Sequence, residues 1–150
     1  MAIDACPVEV PLVTNTLAWR IVVDADLADD VDKRPAAVQR FLTDKSAMAK
    51  LASTPAVRDL KPRDFDAVFI PGGHGTMWDL PKNAPLNAMI GKIYDKGGVV
   101  GAVCHGPAAL VNVKRADGKP LVAGHRMTGF TNDEENAVGL TKAVPFLLET

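Results

Sequence analysis

The feature that most constrains the fold is a short apolar run that ends in a cysteine. Residues 97–103 are Gly-Gly-Val-Val-Gly-Ala-Val, without a charged side chain. A run of this length bounded by glycines is typical of a strand buried on both faces of a parallel sheet. Pro107 and the Ala-Ala-Leu that follows are compatible with the first turn of a helix. The sequence therefore predicts a strand, a sharp turn that contains Cys104, and a helix.

Cys104 then has the layout of a nucleophile elbow, with sulfur in place of oxygen. At the carboxyl end of a strand and the N-terminus of a helix, backbone N–H groups and the helix dipole favour a thiolate over a thiol. The alternative is a buried cysteine that serves as a small apolar side chain. The adjacent His105 and the small residues Ala102 and Gly106 favour a reactive cysteine.

A glycine-rich loop follows the preceding apolar segment. Residues 67–70 (Ala-Val-Phe-Ile) lead directly into 71–75 (Pro-Gly-Gly-His-Gly). Glycines permit positive φ angles, so the N–H groups near Gly72 and Gly73 can converge on an anion; a tight structural turn is the alternative. A glycine loop after one strand and a nucleophile after the next favour an oxyanion hole. His74 is a candidate substrate contact, although a lone loop histidine is more often solvated.

Apolar spacing predicts three helices and two further strands. Pro35 begins one helix, and Thr43 or Asp44 caps a second. Residues 86–93 have apolar side chains at helical spacing and predict the crossover between the two parallel strands. Two short strands are predicted at residues 121–123 and 127–130, around a turn that leaves His125 in solvent.

Two adjacent acids follow these segments. Thr131 and Glu134 have the spacing of a capping box, which would occupy Glu134 with the backbone. Glu135 is then a free carboxylate near the end of a strand, from which it can orient an imidazole. The alternative for Glu135 is a solvated acid in the first turn of a helix.

Composition excludes several classes of protein. The chain has 150 residues, enough for one domain, and a net charge of −1, which gives no electrostatic footprint for nucleic acid or an anionic membrane. Its apolar runs are shorter than a membrane span and its start lacks the regions of a signal peptide, so we expect a cytoplasmic protein. Its cysteines and histidines lack the spacing of a zinc site, and we therefore expect no metal and no cofactor. These residues are Cys6, His74, Cys104, His105 and His125.

Three motifs together resemble the ThiJ/PfpI superfamily, the relatives of class I glutamine amidotransferase domains, and within it the heat-shock chaperone and glutathione-independent glyoxalase branch. They are residues 70–75 (Ile-Pro-Gly-Gly-His-Gly), 102–107 (Ala-Val-Cys-His-Gly-Pro) and 128–131 (Thr-Gly-Phe-Thr), followed by Glu135. The resemblance implies a flavodoxin-like α/β fold, a three-layer sandwich with a mainly parallel sheet, and a homodimer. It also implies catalytic roles for Cys104, His105 and Glu135.

The activity that the resemblance implies is a lyase reaction of the glyoxalase III type, also described as D-lactate dehydratase. Such proteins convert methylglyoxal, a small 2-oxoaldehyde, to lactate without glutathione or metal, and some are described as protein deglycases or stress-protective chaperones. The residues suit this chemistry, because a thiolate adds to an aldehyde and a base can then move a proton between two carbons. Three alternatives stay open: a holding chaperone, a thiol redox sensor, and a cysteine peptidase or amidase.

The sequence also departs from the family pattern at both ends. The family has an N-terminal glutamate that hydrogen-bonds the catalytic cysteine. Residues 1–13 do not match that segment, and we do not assign this role to Glu9. We expect residues 1–150 to form a single domain that is incomplete relative to the family. Within it, residues 1–60 are expected to form an arm or cap, with a strand at 19–23. Residues 144–148 are apolar, and without the family's closing segments they would stay partly uncovered.

Overall fold

The structure, a computed structural model, describes residues 35–150. The chain divides into two compact units, Met1–Asp59 and Leu60–Thr150. The predicted strand at 19–23, Cys6 and Glu9 lie outside the described residues.

The described part of the first unit is helical. Its elements are α1 (Ala36–Thr43), α2 (Lys45–Ala52) and a single 3₁₀ turn (Val57–Asp59). Asp44 separates the two α-helices, and its carboxylate accepts hydrogen bonds from the backbone N–H groups of Ser46 at 2.8 Å and Ala47 at 3.1 Å. These bonds satisfy two of the N–H groups that a helix start leaves unpaired. Of the two predicted caps, Asp44 is therefore the one that begins α2.

The second unit alternates strands and helices. Its elements are 3₁₀ turns at Pro62–Asp64 and Leu80–Lys82, β1 (Ala67–Ile70), α3 (Thr76–Asp79), α4 (Ala84–Asp95), β2 (Val99–Ala102), a 3₁₀ helix at Gly106–Leu110 and α5 (Asn132–Ala137). Strands β1 and β2 pair in parallel, with Ala67 opposite Val99 and Ile70 opposite Ala102. The predicted α/β class, the parallel pairing and the crossover helix are confirmed.

The register of the two strands positions the site. Because β1 and β2 are parallel and end at paired residues, Ile70 and Ala102, the loops that follow them start at the same edge of the sheet. The backbone N–H of Val103 donates to the carbonyl of Ile70 at 3.2 Å and extends the pairing by one residue. The glycine loop and the cysteine turn are therefore neighbours.

The core of this unit lies where α4 and the 3₁₀ helix pack on the sheet. Its buried members are apolar: Ile70, Ile90, Ala109, Leu110, Val113 and Leu121. The Asn83 side chain caps α4 by accepting from the N–H of Leu86 at 3.1 Å. Ile90 is fully buried, so its truncation to alanine is expected to cost about 2–5 kcal/mol of stability.

Two predictions of secondary structure are wrong. Residues 121–123 and 127–130 are turns and irregular chain, not strands. Short-range bonds, such as the N–H of Ala123 to the carbonyl of Pro120 at 3.1 Å, satisfy the backbone locally instead of pairing it across a hairpin. The exposure predicted for His125 is confirmed.

The helix predicted after Cys104 is present as a 3₁₀ helix, Gly106–Leu110. Its N–H groups bond three residues back, as in the bond from Ala108 to the carbonyl of His105 at 3.0 Å. Pro107 has no N–H to donate, and a tightened 3₁₀ turn is common where a helix begins. Among residues 35–150, no helix is both long and apolar enough to pass through a bilayer.

Candidate active site

Cys104 lies in a strained turn between β2 and the 3₁₀ helix. Its φ angle is 58°, and within the described part of the chain no other non-glycine residue has a positive φ. A side chain in this left-handed region costs of order 1–3 kcal/mol, and such strain concentrates at functional positions. The predicted strand and turn at Cys104 are confirmed, and Cys104 is half-buried.

The glycine loop packs directly on the cysteine. A Cβ at Gly72 would lie 2.5 Å from the Cβ of Cys104 and 3.1 Å from its Sγ, which leaves room only for glycine. A Cβ at Gly106 would collide with the carbonyl oxygen of Ile70. Gly73 has a φ of 108°, which an L side chain rarely adopts. These close approaches explain why both loops contain glycine.

His105 is the partner of the thiol. Its Nδ1 lies 3.4 Å from Cys104 Sγ, and its side chain is completely buried. The hydroxyl of Thr76 lies 3.0 Å from the carbonyl oxygen of His105 and 2.8 Å from that of Gly73, so it ties the two loops together. The ring of Phe130 packs on the imidazole with centroids 4.3 Å apart. Packing and hydrogen bonds therefore fix the imidazole against Cys104.

Glu135 fixes the tautomer of His105. Its Oε2 lies 2.7 Å from His105 Nε2, and the glutamate side chain is 3% exposed. Because a carboxylate only accepts, the hydrogen-bond network assigns the imidazole proton to Nε2. Nδ1 then presents its lone pair to Cys104 Sγ, as a general base for the thiol requires. The alternative of a solvated Glu135 is wrong.

The same carboxylate binds a second histidine. His74 Nε2 lies 2.9 Å from Glu135 Oε1, and the rings of His74 and His105 have centroids 4.1 Å apart. The side chain of His74 is 34% exposed. The alternative of a merely solvated His74 is therefore wrong, and its role as a substrate contact stays a prediction. No local sequence signal predicts this bond, because its partners are 61 residues apart.

The pKa of Glu135 reflects opposing effects. Burial raises the pKa of this carboxyl, whereas the hydrogen bonds and charges of His105 and His74 lower it, and the net pKa lies below the ordinary value. The carboxylate is accordingly ionised at neutral pH. It provides the acceptor that both imidazoles need.

The neighbouring acid has a different task. Glu134 and Thr131 form the predicted capping box: the N–H of Glu134 donates to Thr131 Oγ1 at 3.2 Å, and the N–H of Thr131 donates to Glu134 Oε2 at 2.8 Å. Two hydrogen bonds lower the pKa of Glu134: a larger effect from the backbone N–H of Thr131 and a smaller one from its side chain. Helix α5 thus presents Glu134 to its own N-terminus and Glu135 to the site.

Backbone donors are available beside the thiol. Within residues 35–150, the N–H groups of Gly73 and His105 donate to no protein acceptor. They belong to the two loops that Thr76 ties together. Both are therefore candidate donors to an oxyanion formed at Cys104.

Three side chains of the site could also hold a metal ion. His74, His105 and Glu135 each present one ligand atom, and these atoms lie within 4.8 Å of one another. The sequence expectation of no metal site rested on short spacings between cysteines and histidines. Those spacings cannot indicate this cluster, because its members come from three separate segments: the loop after β1, the turn after β2 and helix α5.

Two curated proteins with glyoxalase names match part of the chain. "Glyoxalase 3" of Candida albicans is 46% identical over 84 residues, which cover 55% of this chain and 36% of the relative. "Glutathione-independent glyoxalase HSP31" of Saccharomyces cerevisiae is 38% identical over 91 residues, covering 60% and 38%. The chain therefore spans little more than a third of the length of these curated relatives.

Solved structures show the same fold. The Rapid Encystment Protein 24 KDa of Francisella tularensis superposes with a TM-score of 0.74 at 42% identity, covering 81% of this chain and 54% of that one. Glyoxalase III of Candida albicans gives 0.70 at 34% identity, covering 80% and 51%. These neighbours have the flavodoxin-like fold that the sequence predicts.

A family match covers most of the chain. Residues 21–142 match the DJ-1/PfpI family. This range includes the glycine loop, the cysteine turn and Glu135, which are the segments that the ThiJ/PfpI resemblance rests on. The chain belongs to the DJ-1/PfpI family.

Proposed function

We propose that this chain forms the catalytic site of a glutathione-independent glyoxalase that converts methylglyoxal to lactate. The observation that supports it is the continuous contact from Cys104 Sγ to His105 Nδ1 and from His105 Nε2 to Glu135 Oε2. The names of the relatives from Candida albicans and Saccharomyces cerevisiae point to the same reaction. Cys104 is the nucleophile, His105 the acid and base, and Glu135 the residue that orients His105.

The first step adds the thiol to the aldehyde. His105 Nδ1 takes the thiol proton while Cys104 Sγ bonds to the aldehyde carbon C1, and the C1 oxygen becomes an alkoxide. The N–H groups of Gly73 and His105 stabilise that oxygen until it takes the proton from the imidazolium. The product is a hemithioacetal, and the imidazole is neutral again.

The second step moves a proton between carbons. His105 removes the proton from C1, and the electron pair forms the C1–C2 double bond of an enediolate, whose negative charge lies on the former ketone oxygen at C2. The imidazolium returns its proton to C2, while the proton of the C1 hydroxyl passes to the C2 oxygen, so that C1 becomes the carbonyl carbon of a lactoyl thioester. Water then attacks this thioester, releases lactate and restores the Cys104 thiol. The balance is one methylglyoxal and one water consumed for each lactic acid formed.

Further assignments accompany this function. His74 is assigned to contact with the substrate, because its half-exposed ring lies beside His105. The substrate class is a small 2-oxoaldehyde, with protein deglycase or stress-protective activity as a related use of the same thiol. The protein is proposed to work as a cytoplasmic homodimer without a nucleic-acid or membrane partner. A holding chaperone or a redox sensor would not need the tautomer that Glu135 fixes. A cysteine peptidase would use the same tautomer but has no carbon-to-carbon proton transfer.

The test is incubation of the chain with methylglyoxal in the absence of glutathione, with chiral analysis of the lactate. Lactate formation by the wild type and by Cys6→Ser, with none from Cys104→Ser, is the expected result. Equal turnover by Cys104→Ser would contradict the assignment of the nucleophile. Thiol oxidation without lactate would favour the redox sensor instead.

A further inference from the structure

We propose that His74, His105 and Glu135 bind a zinc ion that inhibits the site. The proposal begins from one carboxylate bonded to two imidazoles. Glu135 Oε1 and Oε2 lie 2.9 Å and 2.7 Å from the Nε2 atoms of His74 and His105. Two imidazole nitrogens and a carboxylate are a donor set that Zn²⁺ takes in proteins, with water in the fourth position.

The distances need only a small adjustment. Ligand atoms about 2.0–2.1 Å from a tetrahedral zinc ion lie about 3.4 Å from each other. The hydrogen-bonded pairs are several tenths of an ångström closer than this, and all the ligand atoms lie within 4.8 Å of one another. Side-chain rotation can therefore replace the two Nε2 protons by one ion. The exposed part of His74 gives the ion a route from solvent.

Zinc binding would change which atoms of Cys104, His105 and His74 carry protons. Without metal, the thiol and both Nε2 atoms hold three protons. With zinc on both Nε2 atoms, His74 has its proton on Nδ1, and His105 Nδ1 takes the thiol proton, so that one proton leaves to solvent. Cys104 becomes a thiolate that accepts a hydrogen bond from His105 Nδ1–H, across the present 3.4 Å contact. Such a bond from a ligating histidine orients it on the metal.

With zinc bound, Cys104 can still be alkylated, but the site cannot complete the catalytic cycle. A zinc-bound His105 has no free lone pair, so it cannot move the proton from C1 to C2. The thiolate, in contrast, stays available to an alkylating reagent. Zinc inhibition with retained thiol reactivity is the signature of this site. The inhibitory half of the inference rests on the proposed function, whereas the binding half does not.

Binding is tested first, with both thiols removed. Calorimetric titration of zinc chloride into the chain carrying Cys6→Ser and Cys104→Ser is expected to show one ion per chain. Adding His74→Asn should weaken binding by more than about tenfold, since a direct ligand is lost. His125→Asn is the matched control, because His125 is exposed and its Nε2 lies 3.1 Å from Tyr94 Oη, outside the cluster. No binding, or equal weakening by both variants, would overturn the site.

A cobalt spectrum tests the ligand set without a His74 variant, and so remains informative if His74→Asn fails to fold. Co²⁺ in the thiol-free chain should give the visible bands of a tetrahedral nitrogen and oxygen site. The chain with Cys104 intact should give the same bands without a thiolate charge-transfer band. A thiolate band would show that Cys104 is itself a ligand, and the proposed ligand set would be wrong.

Inhibition is tested on the wild-type chain. Zinc should abolish lactate formation, while iodoacetamide labels Cys104 at least as fast as without metal. Protection of Cys104 from alkylation by more than about tenfold would overturn the inference, since it places the ion on sulfur. If zinc binds as expected but the metal-free chain forms no lactate, the zinc site stands and the proposed function fails.

Discussion

Gly72 and Cys104 lie so close together that the glycine loop has no room for a side chain. The nearest atoms to a Cβ at Gly72 would be the Cβ of Cys104 and the carbonyl oxygen of Val103, at 2.5 Å and 2.9 Å. Neither atom can move without shifting the strained turn itself. The contact therefore couples the loop after β1 to the position of the thiol.

Gly72→Ala is expected to displace the cysteine turn. The clash should destabilise the protein by about 1–3 kcal/mol, the usual cost of overpacking, and should lower lactate formation more than tenfold if about 1 Å of displacement is transmitted to the thiol. Gly75→Ala is the matched control, because a Cβ there meets nothing within 4 Å and no positive φ is involved. Thermal unfolding and turnover of both variants provide the measurement. Equal effects would show that the Gly72 contact is unimportant.

Cys104 is expected to be the reactive thiol. Its turn places it beside His105 Nδ1, which can take the thiol proton. Brief treatment with iodoacetamide at neutral pH, followed by peptide mass spectrometry, should find Cys104 modified before Cys6. Replacing His105 by Ala should slow this labelling and leave Cys6 unchanged. Faster labelling of Cys6 would refute the assignment.

The two adjacent acids should behave differently on mutation. Glu135→Gln keeps the shape of the side chain but removes the charge that His105 requires, so turnover should fall by about 10²–10⁴-fold. Glu134→Gln should leave turnover nearly unchanged, because glutamine can complete the capping box. Steady-state kinetics of both variants give the comparison. Equal turnover of the two variants would show that Glu135 does not orient the imidazole.

Acid sensitivity should also depend on Glu135. Burial raises the pKa of Glu135, but the hydrogen bonds and charges of His105 and His74 lower it by more, so that the net pKa lies below the ordinary value of a glutamate. A carboxyl whose pKa is lower in the folded state stabilises that state above its unfolded pKa and loses this contribution as the pH falls through the folded pKa. The free energy of unfolding should therefore fall below about pH 4.5, less steeply in Glu135→Gln. Identical slopes in denaturant titrations would contradict this linkage.

Local pattern was sufficient for the parts of the site that adjoin a strand. The apolar runs at Ala67–Ile70 and Val99–Ala102 lead into loops that contain glycine, and the structure makes the two runs parallel neighbours. The capping box also depends only on residues three apart, Thr131 and Glu134. The capping box is local, and each strand is recognised from its own apolar run, although the pairing itself joins distant residues such as Ala67 and Val99.

Other parts depend on contacts that no local pattern contains. The bond between His74 and Glu135 joins residues 61 apart, so a loop histidine with no apolar context resembles a solvated one. Residues 121–123 have strand composition, but the N–H of Leu121 donates to the carbonyl of Val113 at 2.8 Å and that of Ala123 to the carbonyl of Pro120 at 3.1 Å. Strand propensity describes how side chains pack on a sheet, and among residues 35–150 no strand pairs with this segment.

Phe130 contacts three residues of the reactive thiol site: Cys104, His105 and His74. Its N–H donates to the carbonyl of Cys104 at 2.9 Å, while its ring packs on both His105 and His74. Three loops therefore meet at one aromatic side chain, and each contact closes a long stretch of chain at an entropic cost. No fragment that lacks any of the three loops can assemble the site. The reactivity of one thiol thus becomes a reporter of cooperative folding, because it requires all three closures at once.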